Sequence, residues 1–147
     1  MTSHAETKYL PYTAKEMFDL VADISSYPEF LPWCAAARVR KEIQKGVIKQ
    51  IEADLVISFK VFREKFGSRV ILDASKFTIE TEYLDGPFRH MQSVWSFNNS
   101  EQGCEVNFNV DFEFKNAMLQ SIIGLVFNDA MQRIVRAFER RAADLYT

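Results

Sequence analysis

The closing stretch of the chain, from Asn116 to Tyr146, constrains the fold more than any other. Its apolar residues are Leu119, Ile122, Ile123, Val126, Phe127, Ala130, Met131, Ile134, Phe138, Ala142 and Leu145. Their spacing in threes and fours is the period of one helical face. Asn116 is an N-cap candidate, because its side-chain oxygen can accept from a backbone N–H that has no partner within the helix. Arg140 and Arg141 lie where the negative pole of the helix dipole favours cations. At 1.5 Å per residue such a helix reaches about 45 Å. That is longer than a small core needs, so a sheet must run along it, and the preceding residues read as that sheet.

The chain has 147 residues, which predicts one domain over 1–147. A chain of this length buries roughly 68–70% of its unfolded surface. Thirteen Phe, five Tyr and two Trp make large flat groups the main filling. The longest apolar run near the final helix, Ile122 to Phe127, is far short of the ~20 residues that span a bilayer. The opening MTSHAETKYL has neither an apolar signal core nor an Arg-rich transit pattern. The expectation is a cytoplasmic protein, with peripheral contact at the inner membrane as its route to a bilayer. Cys34 and Cys104 fit no metal spacing and read as free, buried thiols. Residues 36–69 hold nine Lys/Arg against four acids, and residues 70–115 hold three against eight. This is either ordinary wet strand faces or one basic flank for anionic lipid or RNA.

Taken in order, residues 5–12 read as a short strand, with Pro11 at its edge or end. Thr13 to Glu16 is a capping-box pattern. It opens a first helix with the apolar stripe Ala14, Met17, Phe18, Val21 and Ala22. Ser25 or Ser26 can cap a second short helix, with Pro28 tolerated in its first turn and Pro32 stopping it. Tyr27, Phe30, Leu31 and Trp33 make this connection either a plug at one end of the core or a gate over a cavity. From Ala37 the period changes to two. Ile51, Ala53, Leu55, Ile57 and Phe59 form one inward row. Later rows are Phe66, Ser68, Val70 and Leu72; Phe77, Ile79, Thr81 and Tyr83; Met91, Ser93, Trp95 and Phe97; and Cys104 to Phe114. Turns fall near Lys60–Glu64, at Asp85-Gly-Pro87 and across a polar loop from Asn98 to Gly103. The order is therefore α+β: a strand, two short helices, about six antiparallel strands and one long helix. Strands that are apolar on one face only suit an antiparallel sheet covered on one side. A curved sheet over a single helix leaves room for a ligand.

Catalysis requires a positioned acid, base, nucleophile or metal. His4 reads as part of a polar tail and His90 as an isolated strand residue, neither with an acidic partner. No Gly-rich phosphate loop, HExxH or GxSxG is present. Cys34 beside Trp33 should have a raised pKa and be inert. Ser58, Ser68, Ser93 and Gln92 read as hydrogen-bonding spots for a ligand's carbonyls or hydroxyls. The expectation is no catalytic residue, no metal and no catalytic cofactor.

The run YPEFLPWC (Tyr27–Cys34) is followed by F-x-S-R-V at Phe66 to Val70, by G-P-F at Gly86 to Phe88 and by W-x-F at Trp95 to Phe97. It closes with A-F-x-x-R-A at Ala137 to Ala142. In that order these motifs resemble the coenzyme Q-binding START-like family, within the wider polyketide cyclase and lipid-transport group. The resemblance covers roughly Thr7 to Tyr146. It implies a helix-grip fold, with a curved sheet of about seven strands wrapped on the long helix. It also implies binding of ubiquinone or a related lipid and a supporting role in respiration without catalysis. The same family includes bacterial ribosome-association toxins that bind the large ribosomal subunit, and a bacterial source is expected.

Three functions follow: a quinone or lipid carrier, a ribosome-contacting protein, and a cyclase-type enzyme supported by fold alone; no DNA partner is expected. For the carrier, the ligand-contacting residues are expected to be Phe30, Leu31, Trp33, Phe66, Trp95, Phe97, Phe108, Phe127 and Met131. Lys60, Val61, Phe62 and Arg63 are the expected contact with a membrane surface. Either that turn dips into the bilayer, or Val61 and Phe62 fold inward.

Overall fold

A computed structural model describes residues 2–59 and 62–146. Its elements run β1 (Thr2–Leu10), α1 (Ala14–Ala22), a 3-10 turn (Ile24–Glu29), β2 (Cys34–Lys45), β3 (Ile48–Phe59), β4 (Phe62–Asp73), β5 (Thr78–Asp85), β6 (Phe88–Ser100), β7 (Gly103–Phe114) and α2 (Ala117–Tyr146). The strands form one antiparallel sheet in the order β1-β7-β6-β5-β4-β3-β2. The alternating rows read from the sequence set its register. Ile79 pairs with Trp95 and Trp95 with Phe108, so one face carries the large apolar groups of three strands. Register shifts in β2 at Cys34/Ala36 and Val39/Lys41, and in β6 at Phe88/His90, are bulges of the kind that bend a sheet. The sheet curves around α2.

Local chemistry sets the helix boundaries. Thr13 Oγ1 accepts from Glu16 N at 3.1 Å while Glu16 Oε1 accepts from Thr13 N at 2.9 Å, the reciprocal capping box. Asn116 Oδ1 accepts from Leu119 N at 3.0 Å and starts α2 as expected. The second helix is a 3-10 turn headed by Asp23, not by a serine; Ser26 Oγ instead donates to Asp23 Oδ2 at 2.6 Å. It ends at Glu29, before Pro32, because Pro28 lies inside it and helices so short favour 3-10 geometry. β1 starts earlier than expected, and the loop at Asn98–Gly103 is tighter. Ser100 pairs with Gly103, leaving only two residues for the turn. Gly86 (φ +136°) makes the β5–β6 turn possible, since a Cβ there would meet Phe66 Cβ at 2.7 Å.

Part of the charge on the basic segment is paired on the sheet's outer face. Asp54, buried on the outer face, lies 3.1 Å from Arg40 and 3.8 Å from Lys65. Arg69 reaches Glu52 at 3.9 Å and Glu82 at 3.6 Å. The basic segment supplies β2, β3 and most of β4, and the acidic segment β5, β6 and β7, so they form two halves of the sheet that meet at the β4–β5 seam, where Arg69 reaches across to Glu82. Arg38, Lys41 and Lys45 remain exposed on β2, where cations discourage edge-to-edge pairing.

Candidate functional site: an apolar cavity between sheet and helix

A cavity of about 290 Å³ lies between the sheet and α2, near the low end of small-molecule sites. Its sheet wall includes Leu55 and Ile57 of β3, Phe66 and Val70 of β4, Ile79 of β5, Met91 and Trp95 of β6, and Phe108 and Phe112 of β7. Ile123, Val126, Phe127, Ala130, Met131, Ile134 and Phe138 of α2 form the opposite wall. Aromatic contacts stiffen it. Trp95 stacks on Phe108 at 4.3 Å and meets Phe138 edge-on at 5.2 Å, while Phe112 packs on Phe127 at 4.5 Å. No charged residue lines it among the described residues.

Three hydroxyls interrupt this wall: Ser68, Thr81 and Ser93. They lie on β4, β5 and β6, with Thr81 directly opposite Ser93 and Val70 opposite Thr81. Ser68 is one inward position from Val70, so the three make a short polar strip across the sheet. The row parity already carried Thr81, between Ile79 and Tyr83, although it was not singled out as a polar spot. Ser58 and Gln92, which were, do not line the cavity, and Gln92 is exposed.

The Tyr27–Cys34 run closes one end. Tyr27, Leu31, Pro32, Trp33 and Cys34 line the cavity. Tyr27 donates its hydroxyl to Val21 O and packs edge-on against Phe138 at 5.4 Å. Trp33 holds φ +65°, a left-handed conformation that a bulky residue adopts only under constraint. Its carbonyl accepts from Ser58 N at 2.8 Å, and its ring meets Phe59 edge-on at 5.5 Å. Burial pushes the Tyr27 phenol and the Cys34 thiol above their ordinary pKa values; the bond from Cys34 Sγ to Ala36 O is the lesser effect on the thiol.

Leu31, Trp33, Phe66, Trp95, Phe108, Phe127 and Met131 thus line one cavity. Two of the expected ligand-contacting residues lie elsewhere. Phe97 is 1% exposed and packs against Phe18 at 6.4 Å and beside Trp95 at 5.9 Å, where α1 fills the space a ligand would need. Phe30 turns to the outer side of the run. It packs on Phe138 at 5.3 Å, with the Arg141 guanidinium 5.1 Å over its ring. Of the expected membrane contact, Lys60 and Val61 lie outside the described residues, Phe62 is half-buried and Arg63 is exposed.

His4 is not in a polar tail. It sits on β1 with Nε2 2.9 Å from Glu6 Oε1 and Nδ1 3.2 Å from Asn128 Oδ1, and its ring meets Phe127 edge-on at 6.2 Å. Residues two apart on a strand share a face, so the Glu6 partner was visible in the sequence. His90 lies 4.0 Å from Asp111. Both pairs are outside the cavity lining, and His4 clamps β1 to α2.

The family model described as polyketide cyclase / dehydrase and lipid transport matches residues 10–139. The chain belongs to that family. It is 42% identical to the ribosome association toxin RatA of Rickettsia prowazekii over 148 aligned residues, 99% of each chain. It is 30% identical to the mitochondrial coenzyme Q-binding protein COQ10 homolog B of Xenopus laevis, over 97% of this chain and 59% of that one. Among solved structures, an 18 kDa protein from Caulobacter crescentus superposes with a TM-score of 0.84 at 33% identity, covering 99% of each chain. A START-superfamily protein from Mycobacterium smegmatis gives 0.81 at 16% identity, over 97% and 98% of the two chains. That second likeness shows the fold alone, which is the expected START-like helix grip. The two relatives named here are a toxin and a binding protein, whereas an aromatase/cyclase from a Streptomyces species shares the fold at 15% identity, with a TM-score of 0.77 over 97% and 92% of the chains.

Proposed function

We propose that this protein binds and carries ubiquinone or a similar isoprenoid lipid in the cavity under α2. The observation that carries the reading is a wall with no charged residue among the described ones, whose sheet side is broken by the hydroxyl strip of Ser68, Thr81 and Ser93. An isoprenoid tail gains about 25 cal/mol per Å² removed from water on such a wall. The hydroxyls can donate to the ring carbonyls of a quinone, which otherwise lose their water partners. Leu31, Trp33, Phe66, Trp95, Phe108, Phe127 and Met131 are the proposed contacts. The likeness to a coenzyme Q-binding protein supports this ligand class.

The reading is of a carrier and not a catalyst. Among the described residues the ionisable groups lining the cavity are Tyr27 and Cys34, and burial raises both away from neutral pH, where a general base must work. A second reading, association with the ribosome, rests on the 42% identity to a ribosome association toxin. Solvent extraction of the gently purified protein followed by mass spectrometry tests the first. Quinone recovered in near-stoichiometric amount is expected. An empty protein that refuses added short-chain quinone, yet co-sediments with large ribosomal subunits, would replace it with the second.

A further inference from the structure

We infer that the outward face of α2 is the surface by which this protein docks on an anionic phospholipid bilayer. At about 100° per residue, Met118, Leu125 and Arg136 fall within about 20° of one another on the helix, with Arg140 some 60° from Leu125. Met118 is 69% and Leu125 88% exposed. Side chains that far into solvent bury little apolar surface against the sheet. Further along the same stripe, Arg133, Arg136 and Arg140 line a groove between α2 and the Pro28–Pro32 segment.

The local acids leave this groove cationic. Asp129 is held by Arg133 at 3.0 Å, and Glu29 is held by Arg141 at 3.1 Å. Among the described residues no carboxylate pairs with Arg136 or Arg140, and Arg136 Nε donates only to Gln132 O at 3.4 Å. The face therefore runs from aliphatic at its N-terminal half to cationic at its C-terminal half. Apolar side chains entering the acyl boundary, with arginines at the phosphates, is how an interfacial helix binds. Leu31 and Pro32 line both this groove and the apolar cavity, so docking here sets the Tyr27–Cys34 end of the cavity against the bilayer. A nucleic-acid partner would use the arginines but has no use for Met118 and Leu125. No helix among the described residues is long and apolar enough to cross a membrane, so this contact is peripheral.

Sedimentation with phosphatidylcholine vesicles, with and without phosphatidylglycerol and at low and high salt, tests the inference on the full chain. Binding should require phosphatidylglycerol and fall with salt. Each arginine at the surface contributes a factor of about five, so Arg136→Gln with Arg140→Gln should weaken partition about 25-fold. Leu125→Ser should weaken it about tenfold. All three positions are exposed, and melting curves matching the parent confirm intact folding. Three results would overturn the inference: variants that sediment like the parent, loss that follows only Phe62→Ser with Arg63→Gln, or a parent that ignores vesicles but binds ribosomal RNA through Arg136 and Arg140. The assay needs no bound quinone, so its failure leaves the cavity reading standing, and an empty cavity leaves this one standing.

Discussion

At one end of the space under the sheet, α1 fills everything; at the other, α2 stands off and leaves a cavity. At the filled end Met17, Val21 and Phe97 are each 1% exposed and Cys104 is 0% exposed. Phe18 meets Phe97 at 6.4 Å and Phe77 at 5.6 Å. At the open end Phe66, Trp95, Phe108 and Phe112 come from the same strand rows, but they face Val126, Ala130 and Met131 across a gap. Trp95 is the boundary, with Phe97 beside it on one side and Phe108 stacked toward the cavity on the other. The residue types are alike in both regions. What differs is whether a second helix stands opposite them, so filling is a property of the layers and not of the strand.

The largest expected effect separates the two ends by stability. Phe97→Ala removes a ring from a filled space and should cost about 3–5 kcal/mol. Phe66→Ala enlarges a space that is already empty and should cost less, about 1–2 kcal/mol. Denaturant titration of both variants checks this; equal losses would mean the cavity wall is packed as tightly as the α1 end.

A smaller effect concerns the polar strip. Ser68→Ala removes the hydroxyl from the cavity wall and adds no bulk. One hydrogen bond contributes about 0.5–1.5 kcal/mol, so quinone affinity should fall roughly three- to tenfold while the melting temperature holds or rises. Affinity equal to the parent would take Ser68 out of the head-group contact.

The smallest effect contrasts the two thiols. Burial raises the pKa of both Cys34 and Cys104. The folded state therefore keeps its protons where an unfolded thiol, with a pKa of about 8.5, has lost them. This contribution is complete below about pH 8.5 and declines as pH rises through the folded values, so stability should fall at alkaline pH. Alkylation above that pH should reach Cys34 at the cavity end before Cys104 in the packed end. Added quinone should slow Cys34 alone; equal protection of both thiols would erase the distinction between the two ends.

Most of the architecture was legible in the sequence because period and capping are local. The inward parity of β4 to β7, the Thr13–Glu16 box and the Asn116 cap each need only neighbouring residues. The cavity wall was legible for the same reason, since Trp95, Phe108 and Phe127 must face one another once sheet and helix pack. The positions of Phe97 and Phe30 were not, because parity tells which face a residue occupies and not what stands opposite. The His4–Asn128 contact joins residues at the two ends of the chain. The ion cluster of Arg40, Asp54 and Asp85 likewise depends on strand pairing, which a charge count along the chain does not show.

One pair of substitutions on α2 tests the contrast most directly. Ala142 is 0% exposed in the packed core, and Ala130 lines the cavity about 18 Å away along the helix. Ala142→Leu should overpack its site and destabilise by about 1–3 kcal/mol. Ala130→Leu should fill empty space, leaving stability unchanged or raised by about 0.5–2 kcal/mol, and should exclude quinone from the purified protein. Thermal melts and extracted lipid content, measured on both variants, decide. The account predicts opposite signs in stability and loss of ligand only in Ala130→Leu; matching destabilisation, or full ligand content in Ala130→Leu, would contradict it.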